Sequence, residues 1–328
     1  MPELVSLVSV IVPARDEAAR IGLLVEAVLA EGHEAGVAVE VLVVDDGSRD
    51  ATAEAARRAG ARVLLQGERP DGGNPAAARN AAAAAALGDP LVFLDADCTP
   101  EPGWLAALLA AHGAGHPVVG GSLGLPPGLA LSARCDFYCG WYHVHPRRPA
   151  GPVPNHPPGN LSVRRAVFEA AAEATGGFVE RHPVAYAHEE LAWQAAARRA
   201  GHLLHFEPRA VVLHHNRPGW RQLLRRNYRW GYSALESKAE TGAARLAWLY
   251  RRPLLLLALS LPLALPQALY VVFCWLRAGV FEPLPLLPVV LAARLAHAAG
   301  TVAGGRRWLR QRETGDGSTA AGWRPRWE

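Results

Sequence analysis

An apolar run in the sequence ends in two carboxylates set one residue apart, Phe93-Leu94-Asp95-Ala96-Asp97. Two carboxylates leaving a buried strand repel each other unless a cation neutralises them. Mg²⁺ takes one or two carboxylates together with phosphate oxygens and water. The pattern therefore fits either a strand-end turn or a seat for a divalent ion carrying a diphosphate. A second acidic pair, Asp45-Asp46, follows the apolar run at 41–44 and leads through Gly47-Ser48 to a helix start near Asp50 and Thr52. It reads as a capped turn or as carboxylates that accept hydrogen bonds from a nucleobase or ribose. Arg79 and Asn80 sit in an Ala-rich stretch behind Gly72-Gly73-Asn74-Pro75. A guanidinium there pairs with a carboxylate or with a diphosphate. Further on, His188-Glu189-Glu190 opens a helical stretch closed by Gly201. Acids at that end complement the helix dipole, or one of them acts as a general base toward a hydroxyl.

The elements that must position these groups alternate. Short apolar strands are expected at 5–12, 39–44, 62–65, 91–94 and 118–119, and helices at 17–30, 51–59, 75–87 and 101–111. This alternation implies an α/β fold with a mainly parallel sheet flanked by helices. Arg15, Asp16 and Glu17 follow the first strand, Asp45, Asp46 and Ser48 the second, and Asp95 and Asp97 the fourth. Ligands bind at the carboxyl ends of such strands, so these groups are expected to share one crevice. Beyond residue 120 the pattern predicts a helix over 129–142, a loop over 146–158, a helix over 189–200, strands at 203–206 and 210–213, and an amphipathic helix over 219–240. That last helix carries Arg221, Arg225, Arg226 and Arg229.

Residues 253–276 hold no charge, which is long enough to cross a bilayer. A weaker apolar segment at 284–303 contains Arg294 and His297. It spans, lies at the interface, or packs Arg294 against the first segment. Arginines at 245, 251 and 252 precede the pair, and those at 306, 307, 310 and 312 follow it. This asymmetry predicts a hydrophobic helical hairpin with both ends in the cytoplasm, and membrane contact over 253–303. The expected organisation is a catalytic domain at 1–218 (halves at about 1–120 and 120–218), an interfacial helix or linker at 219–250, the hairpin at 251–312 and a tail at 313–328.

The net charge is only +4, Lys238 is the single lysine, and no basic tract is interleaved with aromatics. Nucleic acid is not an expected partner. Four cysteines without a CxxC pair make neither a zinc set nor a disulfide framework. The start does not read as a signal peptide, because the first apolar run is short and lacks a basic segment. Neither GxGxxG nor GxxxxGK[ST] is present.

Taken in order, the segments at 8–17 (VSVIVPARDE), 41–52 (VLVVDDGSRDAT), 74–80 (NPAAARN), 92–105 (VFLDADCTPEPGWL), 158–164 (PPGNLSVR) and 189–201 (EELAWQAAARRAG) resemble the family 2 glycosyltransferases of the GT-A fold. The resemblance implies transfer of a sugar from a nucleotide-diphosphate sugar to a glycan, lipid-linked or small-molecule acceptor, with inversion and with Mg²⁺ or Mn²⁺. It implies that Pro13, Arg15, Glu17, Asp45, Asp46, Ser48 and Arg79 line the nucleotide-sugar. Asp95 would touch ribose or metal, and Asp97 would be the main metal ligand. Gly159, Asn160 and His188 would lie on the acceptor side. Counting back from Gly201 puts Glu190 at the base position, with Glu189 as its rival; Glu replaces the family's usual Asp. Asn74 stands where many members carry a basic residue. Residues 226–230 (RNYRW) are similar to the QxxRW element of membrane-processive members, which places Arg229 and Trp230 near acceptor sugar and diphosphate. The location implied is the cytoplasmic membrane, with the catalytic domain facing the cytoplasm. A sugar nucleotidyltransferase and an inactive membrane-anchored sugar-binding protein are the alternative readings. The first usually carries a Gly-rich basic loop where this chain has PARDE.

Overall fold

The structure, a computed structural model, describes residues 7–67, 73–180, 187–217, 219–242 and 246–313. The start of the expected first strand, Gly72, Arg245 and the expected tail from 314 onward lie outside the described residues. In chain order the elements are β1 (Leu7–Ala14), α1 (Ile21–Ala35), β2 (Ala38–Asp46), α2 (Thr52–Arg58), β3 (Arg62–Gln66), α3 (Pro75–Ala85), β4 (Leu91–Leu94), β5 (Cys98–Pro100), α4 (Trp104–Gly113) and β6 (Val118–Gly124). Then follow α5 (Leu131–Gly140), β7 (Gly151–Val153), β8 (Asn160–Val163), α6 (Arg165–Thr175), α7 (Leu191–Arg199), β9 (Leu204–His214), α8 (Trp220–Thr241), α9 (Ala247–Tyr250), α10 (Pro253–Ser260), α11 (Ala264–Arg277) and α12 (Leu287–Glu313). They divide into two compact units. One holds Met1–Pro126, Val144–Glu180 and Ala196–His215; the other holds Pro127–His143, Arg181–Ala195 and Asn216–Glu328.

The first unit is built on one sheet in the order β3-β2-β1-β4-β8-β6-β9-β5, with β7 also on β9. β3, β2, β1 and β4 are mutually parallel. Their residues are branched and aliphatic, and β4 is buried throughout, as a strand covered on both faces requires. α3 packs on β1 and β2, α1 on β2, and α4 on β6 and β9. The sheet departs from parallel in its second half, where β8 runs antiparallel between β4 and β6. β5 and β7 pair antiparallel with β9. The strands expected at 203–206 and 210–213 are one strand. Pro208 is accommodated by a register shift between Gly121 and Ser122 on β6, and the Ser122 hydroxyl donates to the Pro208 carbonyl at 2.8 Å. The loop expected at 146–158 contains β7.

The second unit is helical. α8 and α12 pack against each other, with glycines at the contact. A Cβ on Gly300 would lie 2.0 Å from the Tyr228 carbonyl oxygen, and one on Gly304 1.8 Å from that of Tyr232. Only glycine lets the two backbones approach this closely. Leu235, Leu249, Leu256 and Trp308 form a core beside that contact. Arg294 is buried in α12 and donates to the Asn227 side-chain oxygen at 2.6 Å and to the Cys139 carbonyl at 3.1 Å. Among the described residues its hydrogen-bond partners are therefore on α8 and α5, not on the segment at 253–276. The uncharged run is not one helix either. α10 and α11 meet at 77° across residues 261–263, where Pro262 removes a helical N–H. Leu287–Gln311 of α12 is long and apolar enough to cross a membrane.

Candidate active site

The loops after β1 and β2 are stitched to each other in the first unit. The Asp16 N–H donates to the Ser48 hydroxyl at 3.0 Å, and the Arg49 N–H donates back to Asp16 at 2.8 Å. The Glu17 N–H donates to Thr52 at 2.8 Å, and the Ala18 N–H to Asp50 at 3.1 Å. Asp16 holds a left-handed φ of 55° inside this lacing. Strand register places Pro13 beside Val44 and Ala14 beside Asp45. Asp45 turns inward and accepts the Ser48 N–H at 2.8 Å. Buried Asp46 accepts the N–H of Asn74, and the Asn74 side chain in turn caps α3 through Ala77. Pro13, Arg15, Glu17, Asp45, Asp46 and Ser48 therefore belong to the adjoining ends of β1 and β2 and the loops that follow them. Ser48 and Thr52 spend their hydroxyls on holding those loops together.

α3 delivers Arg79, which is almost fully buried, to the end of β4. Its guanidinium donates to the Asp95 carboxylate at 2.6 Å. The Asp95 N–H donates to the Gly159 carbonyl at 3.2 Å. A Cβ on Gly159 would stand 2.3 Å from an Asp95 carboxylate oxygen, so this position needs glycine. Partial burial pushes the Asp95 carboxyl above its ordinary value; Arg79 opposes this and the charge of Asp97 adds to it. Asn80 instead clasps the backbone of Phe178, donating to its carbonyl at 2.8 Å and accepting its N–H at 2.9 Å. Asn160 ties the sheet together: it accepts from the Trp104 indole and donates to the Ser122 and Ala210 carbonyls, each at 2.9 Å.

Asp97 lies two residues past Asp95 and faces a different partner. The antiparallel register of β5 and β9 sets Cys98 opposite His214. This brings the His214 Nε2 within 3.7 Å of an Asp97 carboxylate oxygen. The His215 N–H donates to the Asp97 carbonyl at 2.8 Å. Asp97, Cys98 and His214 offer donor atoms within 4.8 Å of one another, a spacing suited to a metal ion. Burial pushes the Cys98 thiol well above its ordinary value. Beside it, Asp97 and His214 offer one carboxylate and one imidazole.

Residues 9–171 match the family model for glycosyl transferase family 2. The glycosyltransferase AglE of Haloferax volcanii is 30% identical over 247 residues, covering 72% of this chain and 75% of that protein. The chain belongs to glycosyl transferase family 2. The pre-mycofactocin glycosyltransferase of Mycobacterium tuberculosis is 29% identical over 264 residues, 74% of this chain and 52% of that protein. Among solved structures, the mannosyltransferase PcManGT of Pyrobaculum calidifontis, in complex with GDP-Man and Mn²⁺, shares the fold. Its TM-score is 0.57 at 22% identity, over 92% of this chain and 88% of that one.

The remaining expected site residues of this glycosyltransferase lie in its second unit. α7 begins at Leu191, so Glu189 and Glu190 form the turn before it rather than its first residues. Both are buried, and the Glu190 carbonyl accepts the Gln194 N–H at 3.0 Å. His188 has a left-handed φ of 66°, and its Nδ1 lies 2.8 Å from the Ser233 hydroxyl of α8. Arg229 is exposed, whereas Trp230 packs edge-on against Trp141. Arg226, at the first position of the RNYRW segment, pairs with Asp136 at 2.6 Å and stacks 4.7 Å from the Trp230 ring centroid. Asn216 donates to the other Asp136 oxygen at 2.8 Å. Sequence reasoning passed over His214, Asp136 and Trp141. The first is the penultimate letter of a strand-like run ending in His-His, a signal visible in hindsight. The other two carry none.

Proposed function

We propose that this glycosyltransferase moves a sugar from a nucleoside-diphosphate sugar to an acceptor hydroxyl by metal-assisted single displacement with inversion. The observation that carries this reading is the pair of carboxylates beyond β4, each with its own cationic or metal-binding partner: Arg79 on Asp95 and His214 beside Asp97. Asp97 and His214 would hold the ion, and a mixed carboxylate and imidazole set suits Mn²⁺ better than Mg²⁺. Bound there, the ion supplies positive charge to the leaving diphosphate. Arg79 fixes Asp95 in orientation toward the ribose or the ion. Asp45 and Asp46 contact the nucleoside, with Pro13, Arg15 and Glu17 as the facing wall. Glu190 takes the acceptor proton, with Glu189 as the rival base. As the acceptor oxygen bonds to the anomeric carbon, the bond from that carbon to the diphosphate oxygen breaks, and the nucleoside diphosphate leaves with the electron pair.

The apolar helices at 253–303 would hold the protein at the cytoplasmic membrane with the catalytic domain toward the cytoplasm. A lipid-linked or envelope acceptor fits that position. The deciding experiment is Mn²⁺ titration by electron paramagnetic resonance together with sugar turnover, on the parent and on Asp97→Ala, His214→Ala and Glu190→Gln. Loss of Mn²⁺ affinity in the first two, and of turnover at unchanged Mn²⁺ affinity in the third, is expected. Normal Mn²⁺ binding in both Asp97→Ala and His214→Ala overturns the metal assignment; normal turnover in Glu190→Gln overturns the base.

A further inference from the structure

We infer that the second unit is a one-leaflet membrane anchor whose apolar helices enter and leave the bilayer on the same side, with anionic lipid headgroups as its partner. The inference rests on the membrane reading above and replaces its hairpin with a re-entrant one. A run of 24 uncharged residues, 253–276, exposes Leu254, Leu261, Leu265, Leu269 and Phe273. Exposed Arg251 and Arg252 stand at one end of it and exposed Arg277 at the other. Aliphatic surface bounded by cations suits an acyl layer beneath anionic headgroups.

Crossing is another matter. α10 has 8 residues and α11 has 14, about 12 Å and 21 Å of helix. Neither arm alone reaches the ~30 Å of a hydrocarbon core, and the 77° bend prevents them from adding end to end.

α12 is long enough, but it does not stand alone. It runs parallel to α8, in register from Asn227 beside Arg294 to Glu236 beside Arg307, whose side chains are 2.6 Å apart in both pairs. The glycine contacts close the gap between those levels. Any depth reached by α12 is therefore shared by α8. α8 exposes Arg221, Arg225 and Arg229 as one stripe at four-residue spacing, beside a second stripe of exposed Trp220, Leu224 and Tyr228. Arginine and aromatic stripes of this kind belong to the headgroup layer, not to the bilayer centre. The loop between α11 and α12 is tied the same way. Glu282 accepts from the Tyr138 hydroxyl at 2.6 Å and pairs with Arg134, both on α5. A transmembrane hairpin would have to carry that loop to the opposite face, away from α5.

Membrane sidedness of single cysteines tests this on the full chain in a Cys274→Ser background; the other three native cysteines are buried. A membrane-impermeant maleimide is applied to right-side-out and inverted membrane vesicles carrying Arg277→Cys or, as the reference, Ala114→Cys on exposed positions of the loop end and of the first unit. Labelling of both from the same side is expected. Labelling of Arg277→Cys from the opposite side, or from neither, overturns the re-entrant anchor. Flotation of the purified protein with phosphatidylglycerol vesicles is the separate control on the membrane reading. Failure to float, while the protein remains monodisperse without detergent, removes that reading and the anchor with it.

Discussion

Replacing Gly159 with alanine is the sharpest probe of the site. The added methyl would start 2.3 Å from an Asp95 carboxylate oxygen. Ordinary contact is near ~3.5 Å, so Asp95 must retreat by roughly 1 Å. It cannot do so and keep the 2.6 Å bond to Arg79. A misplacement of about 1 Å at a reacting centre costs on the order of 10²-fold in rate, or ~2.7 kcal/mol in barrier. The strained charge-assisted bond adds a stability cost of about 1.5–3 kcal/mol. The assay is turnover of the nucleotide-sugar, with urea unfolding alongside. Gly113→Ala is the control, since a Cβ there meets nothing within 4 Å. Turnover by Gly159→Ala within threefold of the parent, at unchanged stability, refutes the idea that Asp95 must sit against Arg79.

Three further outcomes are expected. Arg79→Ala should destabilise by about 2–3 kcal/mol in urea unfolding, less than a fully buried broken pair, because Asp95 keeps 31% of its side chain in water. Stability should also fall with acid through His112, whose imidazole is held down to about 4 by burial. It stands neutral between the His116 carbonyl at 2.8 Å and the Ser162 hydroxyl at 2.7 Å. Because its folded pKa lies below the unfolded value, its contribution is present above about pH 6.5 and is lost as pH falls toward 4. The loss is ~3 kcal/mol by pH 4, and His112→Asn should flatten the slope of unfolding free energy against pH. Arg221→Ala combined with Arg225→Ala should weaken binding to phosphatidylglycerol vesicles by roughly 30-fold at low salt, at about 1 kcal/mol per arginine; co-sedimentation measures it.

The parallel half of the sheet was legible because its strands announce themselves: four apolar runs, each followed by polar residues and a helix. Asp45, Asp46, Asp95 and Asp97 could be picked out for the same reason, since a charge at the end of a buried strand needs a partner or a ligand to be stable there; Arg79 stood out as the one charge in an Ala-rich helix. β5 and β7 were not legible, at three residues each, because only pairing with β9 makes them strands. His214 was hidden for a related cause. It reaches Asp97 through the β5–β9 register, across more than a hundred residues of chain. Arg294 posed the opposite problem. A cation in an apolar helix was plain in the sequence, but Asn227 and the Cys139 carbonyl come from elements that no periodicity connects to it. Pro262 and Pro266 were both visible in the apolar run, yet only Pro262 falls at the break; Pro266 lies in the first turn of α11, where proline is tolerated.

The placement of β8 between β4 and β6 has a consequence for synthesis. β1 to β4 are complete once residue 94 has left the ribosome, yet the second edge of β4 is covered only when residue 163 follows. At ~5–20 residues per second, that interval of 69 residues (163 − 94) lasts roughly 3–14 s. Throughout it, the apolar edge Leu91–Leu94 is open to any passing strand. A nascent chain of this transferase is therefore most prone to mispairing while residues 95–163 are being made, and slower decoding of that stretch would lengthen the exposure.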